Sequence, residues 1–122
     1  TVYARALRLE LQRRATGQSA DETVEIQGFR LGDLVLVAAP FEIMHRYKRR
    51  IQAAFSTPVL VLSLANHSLG YAPERESFEK EDNYAAKIVP YLLGEPPFAP
   101  TIENELVEAL THLANDLGAV QA

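Results

Sequence analysis

The sequence predicts an α/β fold: a small mixed sheet with one βαβ unit, an N-terminal β-hairpin and a C-terminal amphipathic helix. Two apolar runs, 34–39 and 57–65, flank a segment whose apolar residues have helical spacing. Strand, helix and strand at this distance are typical of parallel strands joined by a right-handed crossover. A turn signal at Leu31-Gly32-Asp33 precedes the first run and predicts the hairpin.

Length and composition describe an ordinary globular chain, and we expect one domain over residues 1–122. The net charge of -4 argues against general affinity for nucleic acid or for anionic membranes. The absence of cysteine excludes disulfides and thiolate metal sites. No apolar stretch approaches the length of a transmembrane segment. The compartment stays open.

The N-terminal segment 3–14 is predicted to be a strand with one solvated face. Leu7, Leu9 and Leu11 alternate with polar residues, and a period of two is the strand period. A helix is the alternative, because Tyr3, Leu7 and Leu11 also share a helical face. Residues 15–22 are polar and small, which favours a loop.

The later elements follow from apolar patterning and from Pro40. The strand 34–39 is apolar throughout, so it should lie centrally in the sheet. Pro40 ends it and can begin a helix over 41–55. The strand 57–65 is also continuously apolar and is predicted to be buried on both faces. Residues 74–82 predict a short acidic helix, and 88–100 an ordered irregular crossing. A leucine stripe predicts a helix over 101–117 that Thr101 caps.

Two longer stretches, "RLGDLVLVAAPFE" and "VLVLSLANHSLGYAPERESFE", resemble the C-terminal part of neutral/alkaline ceramidase-like hydrolases. That family shows a strand ending in Pro-Gly-Glu, a helix, and a second strand running into Asn-x-x-x-Gly-Tyr. The resemblance covers about residues 28–117. Three positions depart from the family pattern and are closer to its divergent bacterial members: Phe41 replaces the glycine, Ser68 replaces a frequent tyrosine, and Phe78 replaces the tyrosine beside Glu79.

The resemblance implies that Glu42 and Tyr71 are zinc ligands, and that two histidines from upstream sequence complete the site. It implies a C-terminal segment of a zinc-dependent amide hydrolase, catalytically silent alone. Exposed apolar surface would then meet the missing upstream part or a second copy of the chain, which predicts a homo-oligomer. The competing hypothesis is a non-catalytic binding or assembly module that keeps the scaffold.

Several candidates also have a purely structural interpretation. His67 could be a third ligand or a general base, and with Glu42 could make a standalone enzyme, but a loop histidine is usually solvated. Glu42 could simply complement a positive helix end, and Tyr71 could be a half-buried aromatic residue. Asn66 is favoured as a turn former. The basic run 45–50 and the acidic run 74–82 are predicted to be solvated.

Overall fold

A computed structural model describes residues 2–122 of the chain. These residues form four α-helices and five strands, together with one 3₁₀-helix and one π-helix that lie between the last strand and the last two α-helices. In chain order they are α1 (Val2–Thr16), β1 (Gln27–Leu31), β2 (Leu34–Ala38), β3 (Glu42–Ile43), α2 (His45–Ala53), β4 (Val59–Leu62), β5 (Tyr71–Ala72), the 3₁₀-helix (Arg75–Glu79), the π-helix (Tyr84–Ile88), α3 (Val89–Leu93) and α4 (Ile102–Asp116).

The main sheet has the order β1-β2-β4 and confirms the predicted mixed α/β fold. β1 and β2 form the hairpin, with Leu31 opposite Leu34, and Gly32 in the turn has a φ of 61°. β2 and β4 are parallel, with Val35 opposite Val59. α2 connects these two strands, so the βαβ unit and the central position of β2 are both confirmed.

The prediction of a strand for residues 3–14 is wrong, because this segment forms α1. The segment is rich in alanine, leucine and arginine, which are good helix formers. Glu10 pairs with Arg13 at 3.1 Å and with Arg14 at 2.8 Å, one helical turn away. Ala6 is buried and α1 packs against α3. The segment with alternating leucines is therefore a helix, and it packs on α3.

The predicted helix over 41–55 begins later, because residues 42–43 form β3 instead. Phe41 and Ile43 are buried while Glu42 is half-buried, which is the alternation of a strand. The Glu42 amide donates to the Gly70 carbonyl at 2.8 Å, and the Ile43 amide donates to Ser63 Oγ at 3.2 Å. Glu42 is therefore not at a helix end, and the structural role suggested for it from sequence is wrong.

The strand 57–65 was expected to be buried on both faces, but β4 is an edge strand with one exposed face. Val59 and Val61 face the core, whereas Leu60 and Leu62 are about two-fifths exposed, at 43% and 39%. α2 and α4 cover only the inner side of the sheet. We call the opposite side, formed by alternate residues of each strand, the outer sheet face; its large apolar side chains are Phe29, Leu31, Leu34, Leu36, Leu60 and Leu62.

The core lies between the inner side of the sheet and helices α2 and α4. Tyr47 and Ile51 of α2, Leu110 of α4, and Val35 and Val37 of β2 are fully buried. The predicted leucine stripe of α4 is confirmed by its packing. The residue before α4 is Thr101 as predicted, but its side chain makes no capping bond.

Glycine at position 28 allows α4 to approach β1. A Cβ atom built there would lie 2.5 Å from Leu117 Cδ1 and 3.0 Å from Leu113 Cγ. At the end of α4, Arg30 Nη1 donates to the carbonyls of Leu117 and Gly118 at 3.1 and 2.6 Å. A cation at a helix C-terminus satisfies carbonyls that have no partner within the helix.

The residues that follow α4 are hydrogen-bonded to the residues at the end of α2. The Ser56 amide donates to the Val120 carbonyl at 2.9 Å, and the Val120 amide donates to Thr57 Oγ1 at 2.8 Å. The Ala122 amide donates to the Ala54 carbonyl at 3.0 Å. This links the last residues to the middle of the sequence.

The crossing after β5 is more helical than expected. The 3₁₀-helix lies within the predicted acidic helix and confirms it. The segment predicted to be irregular begins with the end of the π-helix and with α3, whose first turn holds Pro90. Asn83 accepts from the Ala86 amide and starts the π-helix, and Gly94 ends α3 with a φ of 80°. None of the helices in residues 2–122 is long and apolar enough to span a membrane.

Candidate functional site

Glu42 and Tyr71 lie directly opposite each other in the structure. β3 and β5 form a two-stranded parallel sheet, and its register pairs Glu42 with Tyr71 and Ile43 with Ala72. Residues opposite one another in a ladder project their side chains to the same side. The two predicted ligands, 29 positions apart in the sequence, are therefore neighbours in space.

The loop between β4 and β5 holds this pair in register by wrapping around residues 39–42. Its amides at Leu64, Ala65 and Leu69 donate to carbonyls of residues 39–41, at 3.0, 3.2 and 2.8 Å. Leu64 and Asn66 have positive φ values of 58° and 62°. Asn66 tolerates this conformation, as expected of a turn former, but for Leu64 it is strained by about 1–3 kcal/mol. The surrounding hydrogen bonds keep Leu64 in place.

Gly70 is the last residue of the loop and directly precedes Tyr71, the first residue of β5. Its φ is 83°, a conformation that other residues rarely adopt, and its carbonyl accepts the Glu42 amide. The glycine of the Gly-Tyr pair is therefore favoured at this position by the positive φ of its backbone. It sets where the Tyr71 ring lies relative to Glu42.

The Tyr71 hydroxyl interacts with the Glu42 carboxylate, and this raises the pKa of Tyr71 above its ordinary value. The largest cause is the hydrogen bond to Glu42, followed by the negative charge of that carboxylate. Tyr84 of the π-helix stands beside them, with its ring centroid 6.2 Å from that of Tyr71 in an edge-to-face arrangement. The free site is thus a phenol beside a carboxylate, which favours the neutral form of the phenol.

The Phe41 ring does not crowd this pair, although the sequence places it next to Glu42. The side chain is buried and meets Phe98 edge to face, with ring centroids 5.6 Å apart. Neighbouring strand residues point to opposite sides, so Phe41 enters the core while Glu42 points away from it. The exchange of glycine for phenylalanine is therefore compatible with the site.

His67 lies in a different place, on an open cleft of about 470 Å³. The cleft is found after the carboxyl ends of β2 and β4, where ligands of open α/β sheets usually bind. It is lined by Glu22, Thr23, Val24, Glu25, Pro40, Ala65, Asn66, His67 and Leu69. Neither Glu42 nor Tyr71 lines it. The structure groups His67 with the polar residues that precede β1.

As a metal site, the Glu42–Tyr71 pair offers two oxygen donors. A carboxylate and a phenolate are both suitable zinc ligands, but a zinc site normally has three or four protein ligands. Within residues 2–122, no group of three or more His, Cys, Asp or Glu side chains is placed to hold a metal ion. The pair supplies two oxygen donors, fewer than a zinc site normally has.

A buried ionic network was missed by the sequence analysis. Glu103 in α4 is only 3% exposed and accepts from Arg50 Nη1 at 2.8 Å and from the Arg75 amide at 2.8 Å. Arg46 Nε lies 3.4 Å from the same carboxylate, and Arg46 also binds Glu76 at 2.6 Å. Arg46, Arg50 and Glu76 stay exposed, as predicted for the basic and acidic runs, but they are also ion-paired, and the buried member of the network is Glu103. The partners are far apart in sequence, and no local signal reveals them.

The chain gives no match to protein-family models, to curated proteins or to solved structures. The likeness to ceramidase-like hydrolases therefore rests on the sequence motifs alone.

Proposed function

We propose that this chain is the C-terminal segment of a ceramidase-like, zinc-dependent amide hydrolase and contributes half of its metal site. The observation that supports the proposal is the pairing of Glu42 with Tyr71 across β3 and β5. These are the two positions at which the sequence motifs imply zinc ligands. The parallel strands β2 and β4 bring the segments that follow them to one edge of the sheet, and within those segments the register places Glu42 and Tyr71 side by side.

In this proposal, Glu42 and Tyr71 hold one side of a zinc ion, and two histidines from sequence outside residues 1–122 hold the other. Bound zinc supplies Lewis acidity that polarises an amide carbonyl or activates the attacking group. The Tyr71 hydroxyl must lose its proton to become a ligand. Because the Glu42 charge raises the pKa of Tyr71, zinc affinity should increase with pH. The chain alone should be catalytically silent.

Zinc binding to the purified chain tests the proposal when imidazole is added to replace the missing histidines. We expect one zinc per chain by calorimetry, with release of a proton and a rise in tyrosinate absorbance. Glu42→Gln and Tyr71→Phe should each abolish this binding. Tyr84→Phe is the matched control, because it changes a neighbouring ring outside the donor pair and should leave the stoichiometry at one.

Two results would contradict the proposal. One is a chain that takes up no zinc at any imidazole concentration, and the other is zinc uptake that survives in the Glu42→Gln/Tyr71→Phe double variant. Measurable amide hydrolysis by this chain alone, lost in His67→Ala, would favour instead a standalone enzyme that uses His67 with Glu42.

The second candidate function is a non-catalytic binding or assembly module that forms homo-oligomers. It is favoured by the amount of apolar surface that residues 2–122 leave exposed, including Leu7 and Leu11 of α1 and Phe29 and Leu31 of β1. Large apolar patches on a small protein are typical of interaction surfaces. A module of this kind would bind no zinc, so the same titration separates the two candidates.

A further inference from the structure

The outer sheet face is apolar and stays open among the residues that the structure describes. The strand register places Phe29, Leu36 and Leu60 in one row across the three strands. Phe29 is 58% exposed and Leu31 is 65% exposed. A sheet face that meets water is normally polar. Since the outer sheet face is apolar and only the inner side is covered by helices, the outer sheet face is a candidate contact surface.

A second open apolar surface runs along α1. Tyr3, Leu7 and Leu11 are spaced one helical turn apart and are 53–59% exposed. We call them the α1 stripe. The helix is held to α3 by a different side, which includes the buried Ala6. More than half of the surface of each α1 stripe side chain is therefore left uncovered in a single copy.

The charges beside these two surfaces are complementary. α1 has four arginines and one glutamate, a net charge of +3, whereas residues 17–26 have three acidic and no basic residues, a net charge of -3. The acidic segment leads into β1 at Gln27, so it lies at one end of the outer sheet face. A basic helix placed on that face would meet acidic residues at its edge, which favours correct pairing and fast association.

We infer that two copies of this chain associate reciprocally, with the α1 stripe of each copy packed on the outer sheet face of the other. A helix on a sheet is one of the few stable layer arrangements. Reciprocal contacts close a dimer around a two-fold axis and leave neither surface open. Within one copy the same contact is prevented, because α1 is held on α3.

The contact involves many exposed apolar side chains. Each copy brings seven large ones that are 39–65% exposed: Tyr3, Leu7, Leu11, Phe29, Leu31, Leu60 and Leu62. A standard interface buries about 800 Å² per partner over about 20–30 residues. A stable dimer therefore needs both helix-on-sheet contacts together with the residues that flank them. The dimer uses neither Glu42 nor Tyr71, so the inference is independent of the zinc proposal.

Sedimentation velocity on the full chain in the micromolar range tests this arrangement. We expect a species of twice the 13.6 kDa chain mass. Leu7→Gln/Leu11→Gln alters the α1 stripe and keeps good helix formers, and Phe29→Thr/Leu60→Thr alters the outer sheet face and keeps a strand former. Each double variant alone should be monomeric, with an unchanged circular dichroism spectrum. Val120→Thr, an exposed apolar residue on neither surface, is the control and should remain dimeric.

Mixing the two double variants gives the sharpest result. The mixture keeps one intact α1 stripe and one intact outer sheet face, so a heterodimer held by one of the two contacts should form at higher concentration than the wild-type dimer, although neither variant self-associates. The inference is overturned if the wild-type chain is monomeric. It is also overturned if the sheet variant alone stays dimeric, which indicates pairing of two α1 stripes, or if the helix variant alone does, which indicates pairing of two sheet faces. Zinc uptake measured on the monomeric variants reports on the Glu42–Tyr71 pair separately.

Discussion

Glu42 and Tyr71 are direct neighbours across the parallel pair β3–β5, and the Glu42 carboxylate raises the pKa of the Tyr71 hydroxyl. The contact joins the ends of the two strand-and-loop segments that flank α2. Because β3 and β5 are only two residues long, the contact depends on the loop that wraps them and on the conformation of Gly70.

Replacing Glu42 by glutamine should lower the pKa of Tyr71 toward its ordinary value. The substitution removes the negative charge and weakens the hydrogen bond that raise this pKa. Titration of the tyrosine ring carbons by NMR, with Tyr71→Phe used to assign the signal, measures the change. Glu74→Gln is the control, since Glu74 does not contribute to the shift at Tyr71. An unchanged Tyr71 titration would contradict the contact.

Replacing Gly70 by alanine should displace Tyr71 from Glu42 and lower stability by about 1–3 kcal/mol, because alanine is strained at a φ of 83°. The raised pKa of Tyr71 should then disappear. Gly32→Ala is a matched control with a φ of 61° in the hairpin turn and no nearby atoms. It has a similar backbone strain but should leave the Tyr71 titration intact. If both variants keep the raised pKa, Gly70 does not position Tyr71.

Tyr47→Phe should reduce stability at neutral pH by about 1–3 kcal/mol, because the buried Tyr47 hydroxyl donates to the Pro73 carbonyl at 2.6 Å. Burial raises the pKa of Tyr47, so the unfolded chain loses this proton at lower pH than the folded one. The stabilising effect is thus complete below about pH 10 and is lost as the pH rises further. Urea unfolding between about pH 7 and about pH 11 should show a weaker alkaline decline in Tyr47→Phe. An equal decline in both proteins would contradict this account.

Glu103→Gln should destabilise the fold by about 1–3 kcal/mol, because it removes the charge that joins α4 to Arg50 and to the Arg75 amide. The arginines are partly exposed, which keeps the loss below that of a fully buried ion pair. Glu105→Gln, on an exposed side of the same first turn, is the control and should change stability by less than about 0.5 kcal/mol. Equal losses in the two variants would exclude a special role for Glu103.

Gly28→Ala should cost about 1–3 kcal/mol, since the new methyl group would lie 2.5 Å from Leu117 Cδ1. A double variant with Leu117→Ala should recover part of that loss relative to Leu117→Ala alone. A double-mutant cycle by urea unfolding measures this coupling. If the stability losses of the two substitutions simply add, α4 can move away from β1 to make room for the methyl group.

The parts of the fold that could be predicted are those with strong local signals. The hairpin follows from Leu31-Gly32-Asp33 between apolar runs, and α4 follows from its leucine stripe. The βαβ unit follows from the order and spacing of two apolar runs and the helical segment between them. These elements are set by periodicity and turn chemistry, both of which are visible in a window of a few residues.

The parts that were missed depend on distant contacts. Leu7 and Leu11 satisfy a strand period with Leu9 and a helix period with Tyr3, and the packing of α1 on α3 favours the helix. β3 is too short to have a period, and its partner β5 is supplied by a loop. The carboxylate of Glu103 binds Arg50 from 53 positions away. The Glu42–Tyr71 pair was nevertheless anticipated, because parallel strands bring their following loops to one edge of the sheet.

The hydrogen bonds between residues 120–122 and the end of α2 also affect when the core can form during synthesis. The Ser56 amide and the Ala54 carbonyl bond to residues 120–122, and α4, which packs against the sheet, comes just before those residues. A nascent chain lacking α4 would hold a β-hairpin and a βαβ unit with one side of the sheet still bare. Since parallel pairing and distant contacts form slowly, we expect the core to close only after α4 and residues 120–122 have been synthesised, and the bare side of the sheet to need protection from aggregation until then.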